Sequence, residues 1–285
     1  MSTALFPRVD GAALLNASSC LLETYRNIFN KAHSLNGEEY LLLPTLLAAT
    51  LGQPGVFVEL GAFDGIILSN TVVLERCFQW SGLLIEGNPS NFHKLLRSNR
   101  VARKVHSAIC EGNGSATVRF TSAGGPVAGQ LNQLTDKHQA EWAKVNRPKK
   151  SVDVRCQSLR SIMSAGGMQE ATFLSLDVEG AEATVLGTVR PSAFKVILVE
   201  ADGDDLAKET IVEQIIVRDG LRHAPELNVS HSRVYLRSDV TAFPLPKSMT
   251  RANRFPDRIA PAWGVNSDVL TRLLTQVLGS QLPRG

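Results

Sequence analysis

No sign of charge prevails in this 285-residue chain, where 30 lysines and arginines stand against 27 aspartates and glutamates for a net charge of +3. So small an excess does not mark a nucleic-acid or polyanion binder, and the cluster Arg147-Pro148-Lys149-Lys150 reads as a solvated loop. Cysteine is scarce. The four residues Cys20, Cys77, Cys110 and Cys156 form no C-x-x-C pair, so neither a zinc site nor a disulfide framework is signalled and reduced, mostly buried thiols are expected. Nor do His33, His93, His106, His138 and His223 show the spacing of a metal pair. The apolar stretch 40–51 contains Pro44 and falls short of the ~20 residues a membrane span needs. Arg8 and Asp10 interrupt any signal-peptide pattern, and no repeat or low-complexity segment occurs. The expectation is a cytoplasmic chain without membrane span or nucleic-acid partner, with homo-oligomerisation left open. A hydrophobic content of 44% with 20% charged residues excludes disorder, and the length suits one large α/β domain.

What the chain does have is a strand-turn-helix-strand unit between Val56 and Pro89. Val56-Phe57-Val58-Glu59-Leu60 is short, apolar and β-branched, and it stops at Gly61-Ala62-Phe63-Asp64-Gly65. A helix is expected from Ser69-Asn70-Thr71, with Ser69 as N-cap, and a second apolar run, Leu83-Leu84-Ile85, ends at Glu86. This is one crossover of a parallel sheet, whose ligands sit beyond the carboxyl ends of the strands. An acid about twenty residues after the turn is placed to accept hydrogen bonds from both hydroxyls of a ribose, and Glu86 fills that place. A phosphate cradle would want G-x-G-x-x-G. This turn has only Gly61 and Gly65 and adds the acids Glu59 and Asp64, which would repel a pyrophosphate but suit the cationic reactive end of S-adenosylmethionine.

VFVELGAFDG (Val56 to Gly65), SNTVVLE (Ser69 to Glu75), WSGLLIEGNP (Trp80 to Pro89) and LDVEGAE (Leu176 to Glu182) follow one another in order. They resemble the motifs of the FkbM-type methyltransferases, a branch of the class I S-adenosylmethionine-dependent enzymes, over roughly Gly55 to Leu236. The resemblance implies a Rossmann-like α/β fold with a seven-stranded, mostly parallel sheet, a terminal antiparallel strand and helices on both faces. Members mostly methylate hydroxyls of sugars, glycolipids or polyketides, so it also implies O-methylation of a small-molecule or glycan acceptor. The alternatives are N-methylation on the same scaffold, a degenerate binding subunit, and a nicotinamide-dependent oxidoreductase. With the turn chemistry, the expected donor site comprises Glu59, Gly61, Ala62, Asp64, Gly65, Ser69, Asn70, Glu86, Gly87, Asn88, Ser107, Ala108 and Asp177.

Along the chain, residues 1–53 read as a helical cover with helices over 12–32 and 38–51, residues 54–238 as the catalytic core, and 239–285 as a tail with a helix over 269–277. Within the core, strands are expected over 105–109, 118–120, 152–156, 173–176 and 194–199, with an antiparallel closing pair at 221–224 and 234–236. The stretch 121–150 is the least sheet-like and is the expected substrate-recognition insertion. Asp177 and Glu200 end two central strands, where clustered acids destabilise unless a proton or cation is shared. Three roles stand open for them: general base, ligands of a divalent cation such as magnesium or manganese, or orienting acceptors. His231, just before the last strand, is a further candidate base.

Overall fold

The computed structural model describes Cys20, Ser34 and residues 37–122, 124–126, 128–133 and 151–244. The helices expected over 12–32 and 269–277, and the insertion from 134 to 150, lie outside the described residues. Helix α1 (Glu38–Ala49) precedes β1 (Val56–Leu60), α2 (Val72–Phe78), β2 (Ser81–Glu86), α3 (Pro89–Arg97) and β3 (Arg103–His106). Then come β4 (Ala108–Ile109), β5 (Asn113–Thr121), β6 (Ser151–Gln157), α4 (Leu159–Ala165), β7 (Ala171–Leu176) and α5 (Glu182–Gly187). The chain closes with β8 (Phe194–Glu200), α6 (Leu206–Arg218), β9 (Leu221–His223) and β10 (Ser232–Arg237).

Seven strands make one sheet in the order β3-β2-β1-β7-β8-β10-β9, parallel except for β10, which runs against both β8 and β9. Alternation along the strands feeds two cores. Phe57, Leu84, Phe173 and Val196 pack with Leu42, Leu43 and Leu46 of α1, so the apolar stretch around Pro44 is a buried helix. Val58, Leu60, Leu83, Ile85 and Leu174 meet Ile162 and Met163 of α4 and Val212 and Ile216 of α6 on the other face. Strands apolar on both sides are what a helix-covered parallel sheet requires.

The sheet register decides where the site forms. Leu60 pairs with Ile85 on one side and Leu176 on the other, so the residues that follow, Gly61, Glu86 and Asp177, stand side by side at the carboxyl edge. Gly61 has φ +76°, and a side chain there would run into the Asp177 carbonyl.

Three expectations need correction. The strand expected over 105–109 is two: β3 ends at His106, and the chain leaves at Ser107 so that β4 pairs with β6 in a second sheet of order β4-β6-β5. Ser69 does not cap α2; Thr71 occupies that position, and the Ser69 hydroxyl donates to Glu59 instead. The cysteines are not thiols. Cys20 bonds to Cys77 and Cys110 to Cys156, with Cα atoms 5.4 and 5.6 Å apart. The partners lie 57 and 46 residues apart in the chain, so no local spacing could signal them.

Candidate active site

At the carboxyl edge lies an open cleft with about 790 Å³ of empty volume. Of the expected donor residues, Glu59, Gly61, Asn70, Glu86, Gly87, Ser107, Ala108 and Asp177 line it, whereas Ala62, Asp64, Gly65, Ser69 and Asn88 do not. The excluded residues build the walls from behind. Asp64 Oδ1 accepts from the backbone N–H groups of Ile66 and Ile67, both at 2.8 Å, so it closes its own turn instead of facing a sulfonium. Asn88 caps α3 by accepting from Ser90 N and Asn91 N. Gly65 gives its carbonyl to Arg100 at 2.6 Å.

Glu59 reaches the cleft floor, but its acceptors are committed. Its Oε2 takes hydrogen bonds from Ser69 Oγ at 2.9 Å and Thr71 Oγ1 at 2.5 Å, and its Oε1 from Asn70 N at 2.8 Å. Burial pushes its pKa up, and the Arg100 guanidinium opposes that. Arg100, with a fully buried side chain, also donates to Ser69 Oγ and Thr71 Oγ1 and pairs with Glu75 at 3.1 Å. An acid and a base thus hold the turn 61–71 from beneath. Arg100 was not legible in the sequence, where it is one of many scattered cations.

Glu86 is 4% exposed, and its two oxygens accept from Phe63 N at 2.9 Å and Asn88 N at 2.6 Å. Burial raises its pKa to about 7 against the pull of those N–H groups. The Asn91 side chain and the Gly87 N–H also hydrogen-bond to it, and the carboxyl lines the cleft where a ribose would lie. Asn70, nearer β7, donates from Nδ2 to Ser175 Oγ at 2.9 Å, while its buried Oδ1 has no partner among the described residues. A buried acceptor on a cleft wall is costly unless a ligand donates to it. An ammonium would do so, and the site therefore fits a donor with a ribose and an amino-acid end.

Asp177 lines the cleft and is hydrogen-bonded to Glu200, which is set behind it facing a smaller hollow beside Lys208. Burial first, then the charge of Glu179 and Glu182, push both carboxyls up; the bond between the two pulls Asp177 back and raises Glu200 further, which puts the shared proton on Glu200. Glu182 instead accepts from Val178 N and Gly180 N and closes the turn before α5. His231 is exposed and absent from the cleft wall, its carbonyl accepting from Ala201 N, so the structure does not bring it to the candidate centre. Among the described residues no group of three or more His, Cys, Asp or Glu is arranged to hold a metal ion.

The start of the insertion lies against this cleft. Asn88 Nδ2 donates to Thr121 O, and Asn91 exchanges two bonds of 2.9 Å with Gly125, strapping the segment to the first turn of α3. Pro126, Ala128 and Gln130 line the cleft together with Phe120, whose ring sits where a side chain on Gly87 would be. The described part of the insertion therefore borders the Glu86 end of the cleft. Asn91 and Gln130 are not singled out by the sequence because neither belongs to a periodic run or a spaced motif, and Phe63 and Phe120 read there only as parts of a turn and a strand.

A parallel sheet of this order with an acid-ended β2 and a glycine turn after β1 defines a class I methyltransferase fold. The profile of the methyltransferase FkbM domain matches residues 59–231, more than half of the chain, and the chain belongs to that family of S-adenosylmethionine-dependent enzymes. Among solved structures it is similar to methyltransferase FkbM from Methylobacillus flagellatus KT, at 13% identity and a TM-score of 0.38, over 77% of this chain and 58% of that one. It is also similar to the O-methyltransferase from Bacillus cereus in complex with S-adenosylhomocysteine, at 12% identity, TM-score 0.33, over 82% of this chain and 94% of that one. A third is the O-methyltransferase TomG from Streptomyces achromogenes, at 15% identity, TM-score 0.31, over 84% and 93% of the two chains. No curated protein matches the chain. No helix among the described residues is long and apolar enough to cross a membrane.

Proposed function

We propose that the chain methylates a hydroxyl of a sugar, a glycolipid or another small natural product. When bound, S-adenosylmethionine supplies a methyl group activated on sulfur. Glu86 accepts from the ribose hydroxyls, and Asn70 Oδ1 takes the amino-acid ammonium. The observation that carries the reading is Asp177, a carboxyl on the cleft wall one strand from the Gly61 turn, made more basic by burial and by the nearby Glu179 and Glu182. With Glu200 holding the shared proton the pair carries one negative charge, so the Asp177 carboxylate holds the acceptor hydroxyl and takes its proton, which leaves the pair neutral. Positioning and proton removal suffice, because the leaving group is already a good one.

Asp177→Asn tests this with a panel of sugar and glycolipid acceptors. Turnover is expected to fall by about 10²- to 10⁴-fold while S-adenosylhomocysteine binding changes little. A variant with wild-type turnover removes Asp177 as the base. Activity that survives a chelator supports proton transfer to the carboxyl pair; activity lost in chelator and restored by magnesium or manganese assigns the acidifying role to a cation.

The expected cytoplasmic location rested on the interrupted amino-terminal pattern and on the shortness of the apolar stretch 40–51. With all four cysteines paired, an oxidising compartment is the reading that fits the chain. The partner proposed is the acceptor itself, without nucleic acid, and self-association is a matter for sedimentation.

A further inference from the structure

We infer that Gln130 reads the 6-amino edge of the donor's adenine and makes the cleft selective for an adenosyl over an inosyl group; the inference rests on the donor reading above. The strand order β3-β2-β1-β7 lays the donor out along the carboxyl edge. Glu86 at the end of β2 takes the ribose, and Asn70, bonded to Ser175 of β7, marks the amino-acid end. The base then falls toward β3, where Ser107, Ala108 and Ile109 form the wall.

Two carbonyls of that wall, those of Ala108 and Ile109, are occupied. Ser107 Oγ donates to Ala108 O at 2.7 Å, and Gln130 Nε2 donates to Ile109 O at 3.0 Å. Gln130 is 5% exposed and is held by the backbone on both sides, through its bridge to Phe120, the bond from Thr121 N to Gly129 O and the bond from Leu131 N to Arg119 O. It lines the cleft, and among the described residues nothing donates to its Oε1.

The Ile109 carbonyl fixes which way the amide points. Turning it over would set Oε1 against another acceptor, so the end left for a ligand accepts and does not donate. Adenine offers a donor at its 6-position and hypoxanthine offers a carbonyl. The first completes a hydrogen bond and the second sets two acceptors face to face in a buried place, which is how a polar site rejects a near-isosteric ligand.

Calorimetry on the full chain with S-adenosylhomocysteine and S-inosylhomocysteine tests the inference. The wild-type protein is expected to prefer the adenosyl form by at least about tenfold. Gln130→Met, which keeps the length of the side chain and removes the amide, is expected to lose most of that preference, by weakening the adenosyl form and relieving the clash of acceptors with the inosyl form. Equal binding of both ligands by the wild type overturns the inference and leaves the donor reading standing, whereas binding of neither overturns both. A folded Gln130→Met protein that keeps the full preference also overturns it. The wild-type comparison decides the matter even if the variant does not fold.

Discussion

Glu86 and Glu59 are both buried acids near one end of the cleft, yet they do different work because their oxygens meet different partners. Glu86 accepts from the backbone N–H groups of Phe63 and Asn88, with Asn91 and Gly87 adding to them, at the cleft end of β2; Glu59 is held by the hydroxyls of Ser69 and Thr71 and by Asn70 N, inside the turn. Glu86→Ala is therefore expected to weaken S-adenosylhomocysteine binding by on the order of 1 to 3 kcal/mol through lost charge-assisted bonds. Unchanged affinity in titration calorimetry on a folded variant would remove Glu86 from the site. Arg100 makes the complementary case. Arg100→Met leaves Glu59 and Glu75 without their buried cation, and breaking a buried pair from one side costs on the order of 3 to 5 kcal/mol. Urea unfolding should show that loss, and a change within experimental scatter would mean that the Glu59 network does not depend on the charge.

At the scale of elements, the structure turns on what holds the second sheet and α2 in place. Cys110–Cys156 joins the end of β4 to β6, beside Ala108 and Phe120 of the cleft wall, and Cys20–Cys77 ties a residue near the amino end to α2. Closing loops of 46 and 57 residues restricts the unfolded chain by about 4 kcal/mol each on the chain-entropy argument. Reductant is accordingly expected to lower the unfolding midpoint by well over ten degrees. Non-reducing peptide mapping would identify both pairs; four alkylatable thiols in the native protein would contradict them. The N-terminal helix over 38–51, the crossover after Gly61 and the closing β9 and β10 follow the sequence pattern closely, because periodicity and turn residues are local properties. The break at Ser107 does not. Residues 105–109 read as one strand, and only the pairing of β4 with β6 takes the chain out of the main sheet.

For the whole molecule, the buried acids set the pH response. Burial raises both Glu39 and Glu86 from an ordinary 4.5 to about 7, and it raises Glu59, Glu182 and the Asp177–Glu200 pair as well. The folded state thus binds more protons than the unfolded chain between those values. Stability from these groups is fully present below the unfolded pKa and is lost as pH rises through the folded one. The unfolding midpoint is expected to fall between about pH 5 and pH 8, despite the ion pairs of Asp239 and Glu75 at the surface and core. Differential scanning calorimetry checks this, and a midpoint that climbs over the same interval would show that these carboxyls are ionised without penalty. Glu86→Gln should flatten part of the slope.

The sequence by itself determined the parallel α/β plan, the turn at Gly61, the acid at the end of β2 and the pair of strand-ending acids Asp177 and Glu200, since each is carried by neighbours in the chain or by strand periodicity. The tertiary structure alone decided which cysteines meet, that Asp64 and Asn88 serve the backbone and not the cleft, that Arg100 underlies the donor turn, and that Gln130 stands against Ile109. Those outcomes depend on strand order and register between segments tens of residues apart. A carboxylate, amide or guanidinium takes its role from the donor or acceptor it faces across that distance, and a linear chain does not state which one that is.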